Sequence, residues 1–217
     1  MSSTLEELCA GVLKDGWASG LGSLEQLRSE ARRLGWGEVS FRRTDPPVIS
    51  LRPLDAADAK PNSLSSRYGA AAQPLHTDGA HLLEPPDLVL LVAEETSAVP
   101  TLLWKRPSIG YRLSVTQDME HGVFLVQHGP ESFFSTALSG HYLRYDPGCM
   151  SPCDERARNT AQYYAEAIES VVEHHWDEPG TVLLINNRRV LHARAAAQDE
   201  PERELKRVAF RLKERRA

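Results

Sequence analysis

Thr181-Val182-Leu183-Leu184-Ile185-Asn186-Asn187-Arg188-Arg189-Val190-Leu191-His192 reads as a short apolar run, a polar turn and a second extended segment that ends on a histidine. Pro179-Gly180 turns the chain into it. Further short runs occur at Val48 to Leu51, Leu88 to Val92, Val123 to Val126, Phe133-Phe134, Tyr142 to Tyr145 and Val208 to Leu212. Each is bounded by Pro, Gly, Asn or Asp, so from Glu38 onward the chain reads as mainly β, mostly antiparallel, with flanking helices.

The helices lie at the start and late in the chain. Thr4-Leu5-Glu6-Glu7 is a capping-box pattern followed by Leu8, Val12 and Leu13, with Asp15-Gly16 as the stop. Ser23-Leu24-Glu25-Gln26 opens a second helix with Leu24, Leu27, Ala31 and Leu34 at helical spacing. Residues 1–36 are therefore expected to form covering helices, and residues 37–217 the β core. A further helix is expected over about 152–173, started by Ser151-Pro152-Cys153-Asp154 and striped by Ala157, Ala161, Tyr164, Ile168 and Val171. No repeat or linker divides the chain, and 217 residues with 41% hydrophobic content suit one domain, 1–217.

Charge and cysteine usage narrow the function classes. The formal net charge is −5 and no basic stripe is present, so nucleic acid is not an expected partner. Cys9, Cys149 and Cys153 make no zinc-ligand array, and their odd number argues against a disulfide framework. Met1-Ser2-Ser3-Thr4 leads into a charged helix without an apolar signal core, and no run of about 18 apolar residues occurs. A cytoplasmic protein with reduced thiols and no membrane contact is the expectation.

Chemistry enters at Pro74-Leu75-His76-Thr77-Asp78-Gly79. Side chains two positions apart on an extended segment share a face, so His76 and Asp78 can grip one ion. His192, from a distant strand, would complete two imidazoles and one carboxylate on one face of an octahedron, leaving the other face open. That is the ligand set of a non-haem Fe(II) oxygenase. Arg203 and Arg207 follow His192 by 11 and 15 positions. If that segment is extended, Arg203, Leu205, Arg207 and Ala209 share one face, and Val208, Phe210 and Leu212 the other.

With these residues the chain resembles the Fe(II)/2-oxoglutarate-dependent oxygenases of the taurine-dioxygenase-like and clavaminate-synthase-like branch, from about Asn62 to Arg211. His76, Asp78 and His192 match the family's metal triad, and Asn187, Arg189 and His192 its Asn-x-Arg-x-x-His pattern. The resemblance implies a double-stranded β-helix, or jelly roll, with Fe(II) as the metal, 2-oxoglutarate as co-substrate and O2 as oxidant. It makes Arg203 and Arg207 the carboxylate clamp; their spacing alone suggests Arg203 for the distal carboxylate and Arg207 for the keto-acid end, and leaves the assignment open. It also makes Thr101, in Pro100-Thr101-Leu102-Leu103, a helper at that end, although Ala98-Val99-Pro100 stands where the family often has Gly-Gly. The implied reaction hydroxylates an unactivated C–H bond and releases succinate and CO2. Asp78 fills the position that related halogenases leave open, which disfavours halogenation.

The substrate is read as a small molecule, an amino acid or an amino-acid-derived metabolite. Leu143-Arg144-Tyr145-Asp146-Pro147 looks like the family segment bordering the substrate cavity, offering Arg144 to a carboxylate and Asp146 to an ammonium group. A surface ion pair or turn cap explains both equally well. Asn62-Ser63-Leu64-Ser65-Ser66 is read as a cavity edge. His174-His175 is read as a helix C-terminal pair, and His121, His128 and His141 as solvated. His81 is not expected to join a histidine cluster, and Trp17, Trp36, Trp104 and Trp176 are read as core or covering aromatics. Cys149 and Cys153 are read as packed thiols. Two alternatives remain: a catalytically silent jelly-roll binding protein with a structural metal site, and a hydrolytic zinc enzyme, which would leave both arginines without a purpose.

Overall fold

The N-terminal segment folds where its caps direct. In the computed structural model, which describes residues 2–59, 63–107 and 113–213, α1 (Leu5–Asp15) begins on a complete Thr4/Glu7 capping box. It ends at Gly16, whose φ of 92° is the left-handed cap that glycine adopts without strain. Both helices expected in residues 1–36 form, but an unexpected strand, β1 (Trp17–Leu21), separates α1 from α2 (Leu24–Arg33). Trp17-Ala18-Ser19-Gly20-Leu21 has no strong local strand signal. It is a strand because it pairs along its whole length with the edge of β12.

The chain then runs through β2 (Gly37–Val39), β3 (Val48–Leu51), α3 (Leu64–Tyr68), β4 (Leu88–Ala93) and β5 (Ser97–Lys105). Next come α4 (Leu113–His121), β6 (Phe124–Val126), β7 (Phe133–Ser135), β8 (Leu138–Ser139), β9 (Tyr142–Leu143) and β10 (Met150–Pro152). The late helix α5 (Glu155–Glu166) is shorter than expected, because Asp154 and not Pro152 caps its start. A 3-10 turn (Ala167–Ser170) follows, and the residues expected to finish the helix enter β11 (Val172–Trp176). The chain closes with β12 (Thr181–Asn186), β13 (Val190–Arg194) and β14 (Leu205–Arg211).

Two antiparallel sheets face each other. The larger has the order β1-β12-β4-β14-β2, with β3 also on β14, and the smaller the order β11-β5-β13. The turn through Asn187 and Arg188 therefore carries the chain from one sheet to the other, the crossing a jelly roll requires. Between the sheets, Val89, Leu91, Leu183, Ile185 and Leu205 meet Leu103, Trp176 and Val190. Alternate residues of the larger sheet, such as Leu90, Leu184, Val208 and Phe210, face outward onto Leu5, Leu8, Leu27 and Ala31 of α1 and α2. The outer face of the smaller sheet, through Leu102, Trp104, Leu191 and Ala193, is covered by α4 and α5 with Met119, Ala157 and Tyr164. The fold is thus mainly β with flanking helices on a jelly-roll frame. No helix among the described residues is long and apolar enough to cross a membrane.

Candidate metal centre and its cavity

His76 reaches β13 through backbone pairing. Its N–H donates to the His192 carbonyl at 2.9 Å, and the His192 N–H donates to the His76 carbonyl at 3.0 Å. The two imidazoles therefore stand side by side, with ring centroids 4.6 Å apart. Between the inward-facing His76 and Asp78, Thr77 turns outward: its N–H donates to the Tyr145 carbonyl, and its hydroxyl accepts the Tyr145 N–H at 3.2 Å. Asn187, wholly buried, grips Asp78 from the side of the crossing turn. Gly79 then turns the chain away at φ 69°, with the Phe41 ring and Pro86 so close that a Cβ would lie 3.0 Å from each.

His76, Asp78 and His192 are all buried, and one ligand atom from each lies within 4.8 Å of the others, the one such group of three among the described residues. His76 Nε2 is 3.7 Å from Asp78 Oδ1, and His192 Nε2 is 3.8 Å from Asp78 Oδ2, both too long for hydrogen bonds. The Nδ1 of His76 donates to the Pro74 carbonyl at 3.0 Å, which leaves the Nε2 lone pair aimed at the carboxylate. Asp78 Oδ2 is buried without a partner. Lone pairs converging on a common point, with one carboxylate oxygen unsatisfied, are what a divalent cation would relieve, so the residues fit a metal.

The electrostatics of Asp78 and His192 agree with this donor set, whereas at His76 burial is outweighed by the neighbouring Asp78 carboxylate, which raises the imidazole. Burial alone would raise the Asp78 carboxyl, but the Arg207 guanidinium and the two imidazoles beside it hold it well below the usual carboxylate range. Arg207 Nη1 donates to Asp78 Oδ1 at 2.7 Å while its guanidinium stacks on the Phe41 ring at 4.3 Å. Burial pushes His192 down, toward the neutral imidazole that ligates metals.

The triad opens into a cavity of about 400 Å³ whose wall includes Thr101, Asp146, Arg194, Arg203 and Arg207. Arg203 is buried, its Nε donating to Ser97 Oγ at 3.2 Å and its Nη2 to the Val99 carbonyl at 3.4 Å. Burial, with Arg194 nearby, lowers it to about 10, still protonated at neutral pH. Thr101 accepts a hydrogen bond from Trp176 Nε1 at 3.2 Å. The alternation expected over Arg203 to Ala209 is observed, with Leu205 and Ala209 between the sheets and Val208 and Phe210 outside.

Arg144 does not face the cavity, contrary to its expected place at a substrate carboxylate. Its guanidinium is spent on the carbonyls of Ala80, Leu82 and Leu83 and stacks on Phe133, so it ties down a loop and is not on the cavity wall. Asp146 does face the cavity, and its Oδ1 also accepts the Gly148 N–H as a turn cap. Ser63, Leu64 and Ser65 border the cavity as the start of α3; Asn62 lies outside the described residues.

His174 and His175 are not at a helix end but in β11, where the His174 ring meets Trp176 edge-on at 4.5 Å. His128 is not fully solvated either: its Nδ1 donates to the His81 carbonyl, and the two rings lie 5.2 Å apart, while His81 stays out of the His76 group as expected. Cys149 is buried and its thiol pushed up by burial, whereas Cys153 is exposed and not packed. Arg194 was missed, although its two-residue offset from His192 places it on the same strand face.

Residues 104–209 match the family described as "Taurine catabolism dioxygenase TauD, TfdA family". No curated protein sequence matches the chain. Among solved structures, the non-heme iron oxygenase OrfP in complex with Fe and alpha-ketoglutaric acid is similar at 21% identity and TM-score 0.64, covering 97% of this chain and 80% of that one. OrfP with Fe, succinate and (3S)-hydroxy-L-Arg gives 20% identity and TM-score 0.64, over 94% and 78%. An asparagine oxygenase with Fe(II), 2S,3S-3-hydroxyasparagine and succinate gives 16% identity and TM-score 0.57, over 85% and 79%. At these identities the likeness is one of fold.

Proposed function

We propose that the chain, whose residues 104–209 match the TauD, TfdA family, is an Fe(II)- and 2-oxoglutarate-dependent oxygenase that hydroxylates an amino acid or small amino-acid-derived metabolite. The observation that carries this reading is the buried His76/Asp78/His192 group, with its partnerless Asp78 oxygen, in one cavity with Thr101 and Arg203. Fe(II) held by His76, Asp78 and His192 supplies redox chemistry that side chains lack, coupling decarboxylation of 2-oxoglutarate by O2 to oxidation of a substrate C–H bond.

The residues around it divide the remaining work. Asn187 and Arg207 fix the Asp78 backbone and carboxylate, so that the ligand does not swing during turnover. Arg203 and Thr101 take the distal carboxylate of 2-oxoglutarate, since a buried guanidinium that meets Glu200 only through the Ser97 hydroxyl keeps donors for a planar anion. Arg207 stands at the keto-acid end. Asp146 offers a carboxylate to a substrate ammonium group, while the apolar Leu51, Leu54 and Leu91 on the wall exclude water from the reacting C–H bond. Two of the similar folds are named for, or hold, hydroxylated amino acids, which supports that substrate class.

Residues 1–217 are taken as one oxygenase domain. The free Cys9, Cys149 and Cys153 suit a reducing compartment in which ferrous iron persists, so the cytoplasm is the proposed location.

Succinate formation tests the reading. Protein reconstituted anaerobically with Fe(II) and 2-oxoglutarate, then given oxygen and an amino-acid panel, should yield succinate that depends on iron and is lost in Asp78→Ala. A panel member that accelerates it names the substrate class. Absence of both succinate and 2-oxoglutarate binding would favour a silent jelly-roll binder instead.

A further inference from the structure

The family resemblance pairs Arg203 with Arg207, but the structure sets a different guanidinium beside Arg203. On β13, Val190 lies in the core between the sheets while Leu191 and Ala193 lie in the outer core, so His192 and Arg194 share the inner face. In the register of β13 on β5, His192 stands opposite Leu103, and Arg194 opposite Thr101. Arg194, Thr101 and Arg203 all line the cavity. Arg203 itself bonds Ser97 and Val99, the residues just ahead of Thr101 on the same strand.

We propose that Arg194 is the second guanidinium holding the distal carboxylate of the co-substrate, beside Arg203 and Thr101, and that Arg207 serves the metal end. This rests on the oxygenase reading above.

Distance along the strand supports the assignment. Two residues of a strand advance about 6.6 Å; an extended five-carbon chain with C–C bonds of about 1.5 Å spans about 5 Å between its end carbons, and the carboxylate oxygens extend its reach by about another 1 Å. A co-substrate whose keto-acid end lies at His192 therefore brings its far carboxylate to the row of Arg194 and Thr101. Arg194 is also held ready: its Nη2 donates to the Gly69 carbonyl at 2.7 Å and the Ala71 carbonyl at 2.8 Å, while its Nε is buried without a partner. Burial and then Arg194 depress Arg203, and Glu200, linked to Arg203 through the Ser97 hydroxyl, offsets this only in part, so the two guanidiniums still favour a further anion between them. Arg207, by contrast, is engaged with Asp78 and Phe41, and its own unpartnered Nε belongs to that end of the cavity.

The test compares binding of 2-oxoglutarate with binding of 2-oxopentanoate, which has the same chain length but a methyl in place of the distal carboxylate. Dissociation constants are measured by calorimetry on metal-reconstituted, oxygen-free protein for the wild type, Arg194→Gln, Arg194→Lys and Arg207→Gln. Wild type should prefer 2-oxoglutarate. Arg194→Gln should weaken 2-oxoglutarate by roughly 10- to 100-fold, the scale of charge-assisted hydrogen bonds, leave 2-oxopentanoate within about twofold, and be partly rescued by Arg194→Lys. Arg207→Gln should weaken both ligands alike, because both carry the keto-acid end. Equal losses of both ligands in Arg194→Gln would mean that Arg194 only braces Gly69 and Ala71, and would overturn the inference. So would a preference abolished by Arg207→Gln and kept in Arg194→Gln. Wild type that binds neither ligand would instead overturn the oxygenase reading itself.

Discussion

The carboxamide of Asn187 closes on both sides of the Asp78 residue: its Oδ1 accepts the Asp78 N–H at 2.9 Å, and its Nδ2 donates to the Asp78 carbonyl at 2.9 Å. The same Nδ2 donates to the Pro86 carbonyl at 2.9 Å. The sheet-crossing turn is thereby tied to the metal-ligand segment. Asn187→Ala should cost roughly 2–4 kcal/mol, because three buried backbone groups lose their partner. Fe(II) affinity should fall by about 10- to 100-fold, as when a group orienting a ligand is removed. Urea denaturation and metal titration check the two effects. Unchanged metal affinity in a destabilised variant would separate Asn187 from the site.

Gly79→Ala tests how tightly the cavity rim is built. The backbone there has φ 69°, and an added Cβ would lie 3.0 Å from both the Phe41 ring and Pro86. Strain of about 1–3 kcal/mol is expected, together with displacement of Phe41 from the Arg207 guanidinium it now contacts at 4.3 Å. The denaturation midpoint should drop, and succinate formation should fall further than the lost folded fraction explains. A normal midpoint would mean that Phe41 yields freely.

What the sequence made legible were features set by local period. The two-residue offset of His76 and Asp78, the inward Arg207 against outward Val208 and Phe210, and the Thr4 capping box all follow from one segment's geometry. What it concealed depends on partners far along the chain. Trp17–Leu21 and Val172–Trp176 are strands because β12 and β5 offer them edges. Arg144 looked free for a substrate until the carbonyls of Ala80, Leu82 and Leu83 were found around it. Arg194 was in plain phase with His192, yet its meaning required the cross-strand register that sets it opposite Thr101.

Trp176 governs what the Thr101 hydroxyl can do. An indole N–H only donates, so Thr101 Oγ1 accepts it at 3.2 Å and keeps its own proton for another acceptor. In the proposed site that acceptor is the co-substrate carboxylate. Trp176→Phe should raise the KM for 2-oxoglutarate by about 3- to 10-fold, near the scale of one hydrogen bond, while kcat changes little. Thr101→Val should raise it at least as far. The double variant should be no worse than Thr101→Val alone, because the two groups form one chain. Additive effects in steady-state assays would refute the coupling.

His174 gives the fold an acid-sensitive element away from the metal ligands. It stands opposite Thr101 on β11, its ring edge-on to Trp176 at 4.5 Å, with Nε2 buried and unpartnered. Burial, then the neighbouring His175, lowers it from 6.5 to about 4. Its pKa is lower in the folded than in the unfolded chain, so between these values the unfolded chain binds more protons. Stability is therefore whole above about pH 6.5 and declines as pH falls toward 4. The slope is at most about 1.4 kcal/mol per pH unit for one proton, reduced by solvent screening at this partly exposed ring. His81, also lowered chiefly by burial, adds to the decline with the same sign. His174→Phe retains an aromatic contact with Trp176 and removes the proton, so its stability in urea should match wild type near pH 7.5 and exceed it near pH 5. Parallel losses in the two proteins on acidification would assign the sensitivity to other groups.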